Sequence, residues 1–135
     1  MASAGSRREA RERALELLYE AYAKGGDVSS VLVGLALAPD PYAESLVRGV
    51  ESRADEIDVL ISAHAKGWTI ERMPVMDRTL LRMAVFELLG EPDVPVAVVI
   101  SEAVELAKRY STEDSGRFIN GVLSAAAAAV RPPAG

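Results

Sequence analysis

RREARERALELLYEAYAK, residues 7–24, contains neither glycine nor proline, and the two residues that follow it are both glycine. An unbroken run of this length that stops at glycines predicts one helix ending there. The rest of the chain continues in the same way, because helical patterns lie between glycine- and proline-containing breaks and no stretch alternates long enough for a strand. The sequence therefore predicts an all-α fold.

Further helical segments are predicted along the chain, each bounded by turn-forming residues. They cover residues 28–38, 42–66 with a break near Ala54-Asp55 where Asp55 caps a new helix, 75–89, 95–110, and a last segment that Ser111 caps and that runs to Val130. The Asn120-Gly121 pair also suits a hairpin, but the alanine run at 125–129 favours a helix. In a helix, that pair leaves a gap in side-chain bulk, where we expect another helix to approach closely.

The composition is that of one domain, in which half of the 135 residues are apolar and 5% are aromatic. The 15 basic and 20 acidic side chains give a net charge of −5, which disfavours nonspecific binding to nucleic acid without excluding a local basic patch. No apolar run approaches the roughly 20 residues that cross a bilayer, and residues 1–5 lack a signal core, so we expect a cytoplasmic protein with no membrane contact. We expect an ordered core over 7–130, with loose ends at 1–5 and 131–135.

Several kinds of chemistry are excluded by residues that the chain lacks. With no cysteine and a single histidine, His64, the sequence offers no disulfide, thiol nucleophile or multi-histidine metal centre. A phosphate-binding glycine loop and a nucleophile elbow are also missing. Glu102 and Glu105 lie three residues apart on one predicted helix with basic residues one turn further on, so we expect them on a solvated face rather than in an acid–base pair. We therefore expect no catalysis, no cofactor and no metal.

One face of the first predicted helix changes character along its length. Its second half is apolar and its first half cationic, with Leu15, Leu18, Tyr19 and Tyr22 preceded by Arg7, Arg8 and Arg11. Arginines without partners cost too much to be buried in a core. The first two turns are therefore predicted to project beyond the core and present the arginines to an anionic partner. An alternative stays open, in which this face is only solvated and Arg8 pairs with Glu12.

Two side chains on other helices have structural interpretations. Glu87 falls inside the apolar stripe of the helix predicted over 75–89, where a carboxylate must be paired or hydrogen-bonded. Phe118 borders the apolar stripe of the last helix, where core packing is favoured over stacking on a base. We therefore interpret both as parts of the fold, while aromatic stacking by Phe118 stays open.

Four motifs give the chain a resemblance to a known family. They are R-R-x-A-R-E with A-L-x-L-L-Y at 7–19, D-R-x-L-L-R-x-A-x-x-E-L at 77–88, P-x-x-V-x-I-x-E-A-V-E-L-A-K at 95–108, and E-D-S-x-x-F-x-N-G-V-L at 113–123. Together they resemble the NusB family over about residues 7–124, in the order that the family has them. The chain departs from the family between about residues 25 and 56, and Gly116 is unusual inside a helix, where we expect it to loosen that turn.

This resemblance implies two small helical bundles and no catalysis. Members of the NusB family are transcription antitermination factors that bind the boxA element of nascent ribosomal RNA leaders together with NusE, a small-subunit ribosomal protein. That heterodimer then joins NusA, NusG and RNA polymerase. Some relatives form homodimers that cover the arginine surface, so the resemblance also implies a possible homodimer.

The resemblance further implies where each partner would bind. The RNA contacts fall on Arg7, Arg8 and Arg11, with Lys108, Asp114 and Phe118 near the RNA path. The NusE surface falls on Glu71, Asp77, Arg78 and Arg82, with Tyr19 nearby. From the residues alone, Asp77 either caps its helix or contacts a partner, with neither favoured, and Tyr19 belongs to the core stripe.

Two alternatives to an RNA-binding adaptor differ from it in what they predict. A structural homodimer would pair its arginines with acidic groups of the other chain and be indifferent to RNA. A relative of the NusB-like domain of ribosomal RNA methyltransferases would carry a Rossmann-like second half for a methyl donor, which these 135 residues lack.

Overall fold

The computed structural model describes residues 4–132, with side chains from Arg7 onward. This part of the chain forms seven α-helices and one 3-10 turn, with no strand, so the all-α prediction is confirmed. The helices are α1 (Ala4–Ala23), α2 (Val28–Val33), α3 (Pro41–Ser52), α4 (Ala54–His64), α5 (Val75–Gly90), α6 (Val96–Tyr110) and α7 (Glu113–Val130), and the 3-10 turn is Ile70–Arg72. No helix in the described range is both long and apolar enough to cross a membrane.

The first helices begin and end at the residues that the sequence marks as breaks. After α1 the chain adopts a left-handed conformation at Gly25, with φ of +62°, which glycine reaches without strain. The side chain of Asp27 then caps α2 by accepting a hydrogen bond from a backbone N–H in its first turn. Asp40 caps α3 in the same way, and Pro41 occupies the first helical position, where its missing N–H costs nothing.

Two boundaries differ from the prediction. Helix α2 ends at Val33 because Gly34 follows as its cap, so the apolar residues that follow leave the helix and Leu37 is exposed. The break predicted near Ala54-Asp55 is observed at Arg53, but Asp55 does not cap α4. Asp55 instead lies in the first turn of α4, where a negative charge interacts favourably with the helix dipole.

The cap of α7 is Thr112 and not the predicted Ser111. The Thr112 side chain accepts a hydrogen bond from the backbone N–H of Ser115 at 2.9 Å. The Ser111 hydroxyl donates to the carboxylate of Asp77 on α5 at 2.9 Å instead. The sequence could not separate two adjacent hydroxyl residues, because the choice depends on which of them faces α5.

Helix α5 lies at the centre of the fold. It contacts α1 and α3, which pack against each other, and it contacts α6 and α7, which form a second packed pair. Helix α4 joins this second group by packing against α5 and α7. The two expected bundles therefore share α5 and one continuous apolar core.

Close approach of two helices occurs at Gly49, where α3 crosses α5. A methyl group on Gly49 would lie 2.2 Å from ring atoms of Phe86, and one on Gly90 would lie 2.8 Å from the same ring. Glycine at both positions therefore leaves the space that the Phe86 ring occupies. At Gly121, where the sequence predicts such an approach, an added methyl group would meet no described atom within 4 Å, so that prediction is wrong.

Both ends of the described range belong to a helix or contact one. Ala4 and Gly5 belong to α1, whereas residues 1–3 and 133–135 lie outside the described range. After α7 the guanidinium of Arg131 donates hydrogen bonds to backbone carbonyls at the end of α5, including those of Glu87 and Leu88. These bonds tie Arg131, the residue after α7, to α5.

We expect the Gly49→Ala substitution to lower the free energy of unfolding by about 1–3 kcal/mol, because the new methyl group overlaps the Phe86 ring. The matched control is Gly121→Ala, which adds a methyl group in open space and should raise the free energy of unfolding by about 0.5–1 kcal/mol through helix propensity. Urea unfolding followed by circular dichroism measures both changes. Equal stabilisation by the two alanines would show that Phe86 moves aside freely and does not fix the crossing.

Candidate nucleic-acid interface

Arg11 is buried, with 3% of its surface exposed, which corrects the prediction that all three arginines of α1 project beyond the core. Its Nε and Nη2 donate to the carboxylate of Glu87 at 2.9 and 2.8 Å. Its Nη1 also reaches the carboxylate of Glu102 at 3.4 Å. The prediction assumed arginines without partners, whereas a guanidinium paired through two hydrogen bonds is tolerated in an interior.

Glu87 is the buried carboxylate at which α1, α3 and α5 meet, so its structural interpretation is confirmed. Besides the hydrogen bonds from Arg11, it accepts one of 2.6 Å from the hydroxyl of Tyr42 on α3. Burial and the neighbouring carboxylate raise the pKa of Tyr42, which keeps this hydroxyl protonated as the donor. Among the described residues, no buried side-chain nitrogen or oxygen lacks a hydrogen-bond partner.

Glu102 on α6 holds Arg8. The Nε and Nη2 atoms of Arg8 donate to the two carboxylate oxygens at 3.1 and 2.8 Å. The carboxylate is buried, while 60% of the Arg8 side chain stays exposed. The bond from Arg8 lowers the pKa of Glu102, so the ionised carboxylate is favoured over the protonated form. Glu102 is therefore not on a solvated face as predicted, and the partner of Arg8 is not Glu12.

Glu12 makes a second link between α1 and α6. Its carboxylate accepts hydrogen bonds from Arg109 Nη1 at 2.8 Å and from the Tyr110 hydroxyl at 3.0 Å. Together with the Arg8–Glu102 pair, this link holds the N-terminal half of α1 along α6. The arrangement leaves 52% of the Arg109 side chain exposed on the same surface.

Arg7 is held differently from the other two arginines. Its guanidinium carbon lies 4.7 Å from the centre of the Tyr42 ring, which places the cation over an aromatic face. No carboxylate of the described residues forms an ion pair with Arg7, in contrast to Arg8 and Arg11. The side chain is half-buried, so it is neither enclosed nor fully solvated.

Lys108 lies over the start of α7 because residue 116 is glycine. A methyl group on Gly116 would be 3.3 Å from Cγ of Lys108, which is a tight contact. Gly116 is buried within continuous helix, so the loosened turn expected there is not observed. Lys108 is exposed and lines an open groove of about 550 Å³ between α6 and α7, together with Arg117 and Asn120.

Asp114 and Phe118 lie on another face of the start of α7. Asp114 is exposed and pairs with Arg117. Phe118 is partly buried, and its ring centre lies 6.1 Å from that of Trp68, which is half exposed. The two rings and Asp114 line a mostly apolar pocket of about 220 Å³. The structure therefore places the Phe118 ring at the edge of the core, beside an open pocket.

Asp77 does not cap its helix, which corrects one of the two interpretations from the sequence. It is buried and accepts hydrogen bonds from the hydroxyls of Ser111 and Ser115 at 2.9 and 2.8 Å. These bonds tie α5 to the junction between α6 and α7. Asp77 therefore positions the start of α7, where Asp114 and Phe118 lie.

The other residues predicted for a protein partner lie at the surface. Tyr19 and Tyr22 are 44% and 56% exposed, so they do not belong to the core stripe as expected. The guanidinium of Arg78 lies 5.2 Å from the centre of the Tyr22 ring, and Arg82 pairs with Asp58 at 2.8 Å. The exposed or half-buried members of this predicted surface are Tyr19, Glu71, Arg78 and Arg82.

Sequence reasoning missed Glu102 as the partner of Arg8 and missed Tyr42 altogether. A signal for the buried pair was present, because Arg11 and Glu87 both stand in apolar stripes and each needs an opposite charge. Pairing Arg11 with Glu87 on this ground would have predicted that α1 packs against α5. No comparable signal marks Tyr42, since it lies where the sequence carries few recognisable motifs.

Comparisons with known proteins agree on one family. Residues 8–128 match the NusB family. The chain is 50% identical over 125 residues to the transcription antitermination protein NusB of Salinispora tropica. The aligned region covers 87% of this chain and 92% of that protein. Its fold is similar to NusB of T. maritima, with a TM-score of 0.81, 37% identity and coverage of 94% of this chain and 92% of that chain. It is also similar to a chain in a crystal structure of the antitermination factors NusB and NusE with double-stranded RNA, with a TM-score of 0.79, 29% identity and coverage of 94% and 99%.

We expect Arg11→Met to lower the free energy of unfolding by about 3–5 kcal/mol, because it leaves the carboxylate of Glu87 buried without its cation. The double variant Arg11→Met/Glu87→Gln removes both charges and should recover more than half of that loss in urea unfolding. Arg13→Met is the control, since its exposed pair with Glu16 should be worth less than about 0.5 kcal/mol. A double variant as unstable as Arg11→Met would show that the charge of Glu87 is not the cause.

We expect the contribution of Glu102 to stability to depend on pH. Because pairing with Arg8 lowers its pKa in the folded state, the stabilisation is present above the ordinary pKa of a glutamate and is lost as the pH falls through the lowered value. Glu102→Gln should therefore be less stable than the unchanged chain at about pH 7, and the difference should shrink towards about pH 3. Urea unfolding across this range measures it, and a difference that stays constant with pH would contradict the ion pair.

Proposed function

Because this chain belongs to the NusB family, we propose that it is a transcription antitermination factor, a non-catalytic adaptor that binds the boxA element of nascent ribosomal RNA leader transcripts together with NusE. The observation that carries this proposal is the exposure of Arg8 and Arg109 where side-chain pairs join α1 to α6, with Arg7 next to Arg8 on α1. These cations lie on neighbouring parts of α1 and α6 that the Arg8–Glu102 and Glu12–Arg109 pairs hold together.

Arg7 and Arg8 take the direct contacts with RNA phosphates, and Arg11 acts from beneath them. The guanidinium of Arg11 is enclosed and already bonded to two carboxylates, so a phosphate cannot reach it without breaking the core. The part of Arg11 in RNA binding is to fix the angle of α1, which determines how Arg7 and Arg8 are presented. Arginine suits the exposed positions because its planar fork matches the geometry of a phosphate.

The start of α7 reads the bases in this proposal. Phe118 and Trp68 offer aromatic surface beside an open pocket, on which an unpaired base can stack. Asp114 lies at the same pocket and can accept a hydrogen bond from a base amino group or a 2′-hydroxyl. Lys108, in the groove between α6 and the same start of α7, supplies a further phosphate contact in this proposal.

The electrostatic contribution from this chain alone is small. The three phosphate contacts proposed for Arg7, Arg8 and Lys108 give a salt dependence of only about −2 in the logarithmic slope for single-stranded RNA, at roughly −0.7 for each contact. The net charge of −5 opposes nonspecific binding as well. Tight binding therefore requires a second protein, and NusE takes this part in our proposal.

The surface for NusE is formed by Tyr19, Glu71, Arg78 and Arg82, with Tyr22 beside them. Exposed aromatic rings near arginines are typical of protein interfaces. Asp77 belongs to this proposal only as a buried support. A relative of similar fold occurs in a crystal structure that contains NusB, NusE and double-stranded RNA.

The larger assembly adds NusA, NusG and RNA polymerase, and such a complex places the protein in the cytoplasm. A homodimer that covers the arginine surface is the state that would compete with RNA. Light scattering with and without boxA-like RNA distinguishes a dimer that competes with RNA from one that is indifferent to it. The competing dimer dissociates when RNA is added, because it exchanges its own contacts for RNA.

We expect Arg7→Ala/Arg8→Ala to weaken binding of a boxA-like RNA in the presence of NusE at least about tenfold, because two phosphate contacts are lost. The slope of log affinity against log salt should fall by about 1.4 for the same reason. Fluorescence anisotropy with a labelled RNA measures both quantities.

The control for that variant is Arg13→Ala/Arg48→Ala, which removes the same charge from exposed pairs elsewhere on α1 and α3. Its affinity should stay within about twofold of the unchanged chain, since phosphate contacts and not net charge are involved. Equal weakening by both double variants would show that the loss of affinity depends on net charge alone. Unchanged binding by Arg7→Ala/Arg8→Ala would show that RNA binds elsewhere on the protein. Equal binding of a scrambled RNA would contradict recognition of boxA.

A further inference from the structure

Tyr42 on α3 contacts Arg7 itself and the buried pair of Arg11 and Glu87 beneath it. Its ring centre lies 4.7 Å from the guanidinium carbon of Arg7 and 5.8 Å from that of Arg11. Its hydroxyl donates a hydrogen bond of 2.6 Å to the carboxylate of Glu87. That carboxylate is fixed in turn by Arg11. The Tyr42 side chain is therefore held through its hydroxyl by Glu87, while its ring face contacts the two arginines.

An arginine that lies over an aromatic ring keeps more of its N–H donors available than one that is paired with a carboxylate. A guanidinium over an aromatic face is attracted through its own flat face, and its N–H groups, which lie in its plane, stay free to donate. Arg8 by contrast already uses Nε and Nη2 on Glu102. Of Arg7 and Arg8, Arg7 is therefore the one that is oriented without giving up its donors to a described carboxylate.

We propose that Tyr42 is a positioning residue for RNA binding, whose ring orients the guanidinium of Arg7 so that its N–H groups face a phosphate. The hydroxyl of Tyr42 contributes by anchoring the ring to Glu87. This inference rests on the proposed function, because it requires Arg7 to contact RNA. It adds that the affinity of Arg7 for a phosphate depends on a residue that touches no RNA.

The test is a double-mutant cycle between Tyr42 and Arg7, measured as the affinity of a labelled boxA-like RNA with NusE present. Tyr42→Leu removes the ring and should weaken binding roughly 3- to 10-fold. Tyr42→Phe keeps the ring and should bind within about twofold, although it is less stable because the bond to Glu87 is lost. In the Arg7→Ala background, Tyr42→Leu should cause less than about a twofold further loss.

A second measurement separates positioning from simple loss of structure. If the contact of Arg7 is lost, the slope of log affinity against log salt should fall by about 0.7 in Tyr42→Leu, as it does in Arg7→Ala. A variant that is merely less folded binds less RNA without a change of slope. Circular dichroism confirms that each variant is folded, and Tyr42→Met, which is unbranched and fills gaps, replaces the leucine variant if that one is not.

The outcomes distinguish this inference from the proposed function. If Arg7→Ala binds RNA normally, the proposed RNA surface is wrong. If Arg7→Ala weakens binding but Tyr42→Leu does not, or if the two losses are independent, Arg7 contacts RNA and Tyr42 does not position it. Equal weakening by Tyr42→Phe and Tyr42→Leu would assign the effect to the hydroxyl and also overturn the role of the ring.

Discussion

The position of α1 depends on the ion pair between Arg11 and Glu87. Both side chains are almost fully enclosed, and each would be very unfavourable alone in an apolar interior. Neither charge can leave its partner without a large cost, so the pair restricts the angle and register at which α1 meets α5. An apolar contact of similar size would tolerate small shifts of the helix, because it has no preferred direction.

Three arginines that follow one another on α1 have three different environments as a result. Arg11 is enclosed by two carboxylates, Arg8 is held at the surface by Glu102, and Arg7 lies over an aromatic ring. Burial alone does not order the series, because Arg7 is half-buried without a described carboxylate, whereas Arg8 is exposed and paired. A partner of full opposite charge is indispensable only for Arg11, whose guanidinium is almost fully enclosed.

Acidic residues on this molecule serve the basic surface as well as opposing it. Glu12 and Glu102 both bridge α1 to α6, and each leaves its arginine partly exposed. They reduce the positive charge available to a polyanion, but they also fix the geometry in which that charge is presented. Local arrangement rather than net charge therefore determines what this surface can bind.

The boundaries of the helices could be predicted from the sequence because they depend on residues a few positions apart. Gly25, Asp27, Asp40 and Pro41 act within one turn of their own position, and each ends or begins a helix. The cap of α7 could not be predicted, because the choice between Ser111 and Thr112 depends on Asp77 across the fold. The same limit applies to Tyr19, whose exposure depends on which helices cover α1.

For the candidate surface, the sequence by itself determined that Arg7, Arg8 and Arg11 share one face of a helix, since helical geometry alone sets that spacing. Only the tertiary structure decided which of them reaches solvent. Arg11 and Glu87 are 76 positions apart, and Arg8 and Glu102 are 94 apart, so both pairs exist only once α1 lies against α5 and α6. An ion pair depends on distance in space, which spacing along the chain does not specify between separate helices.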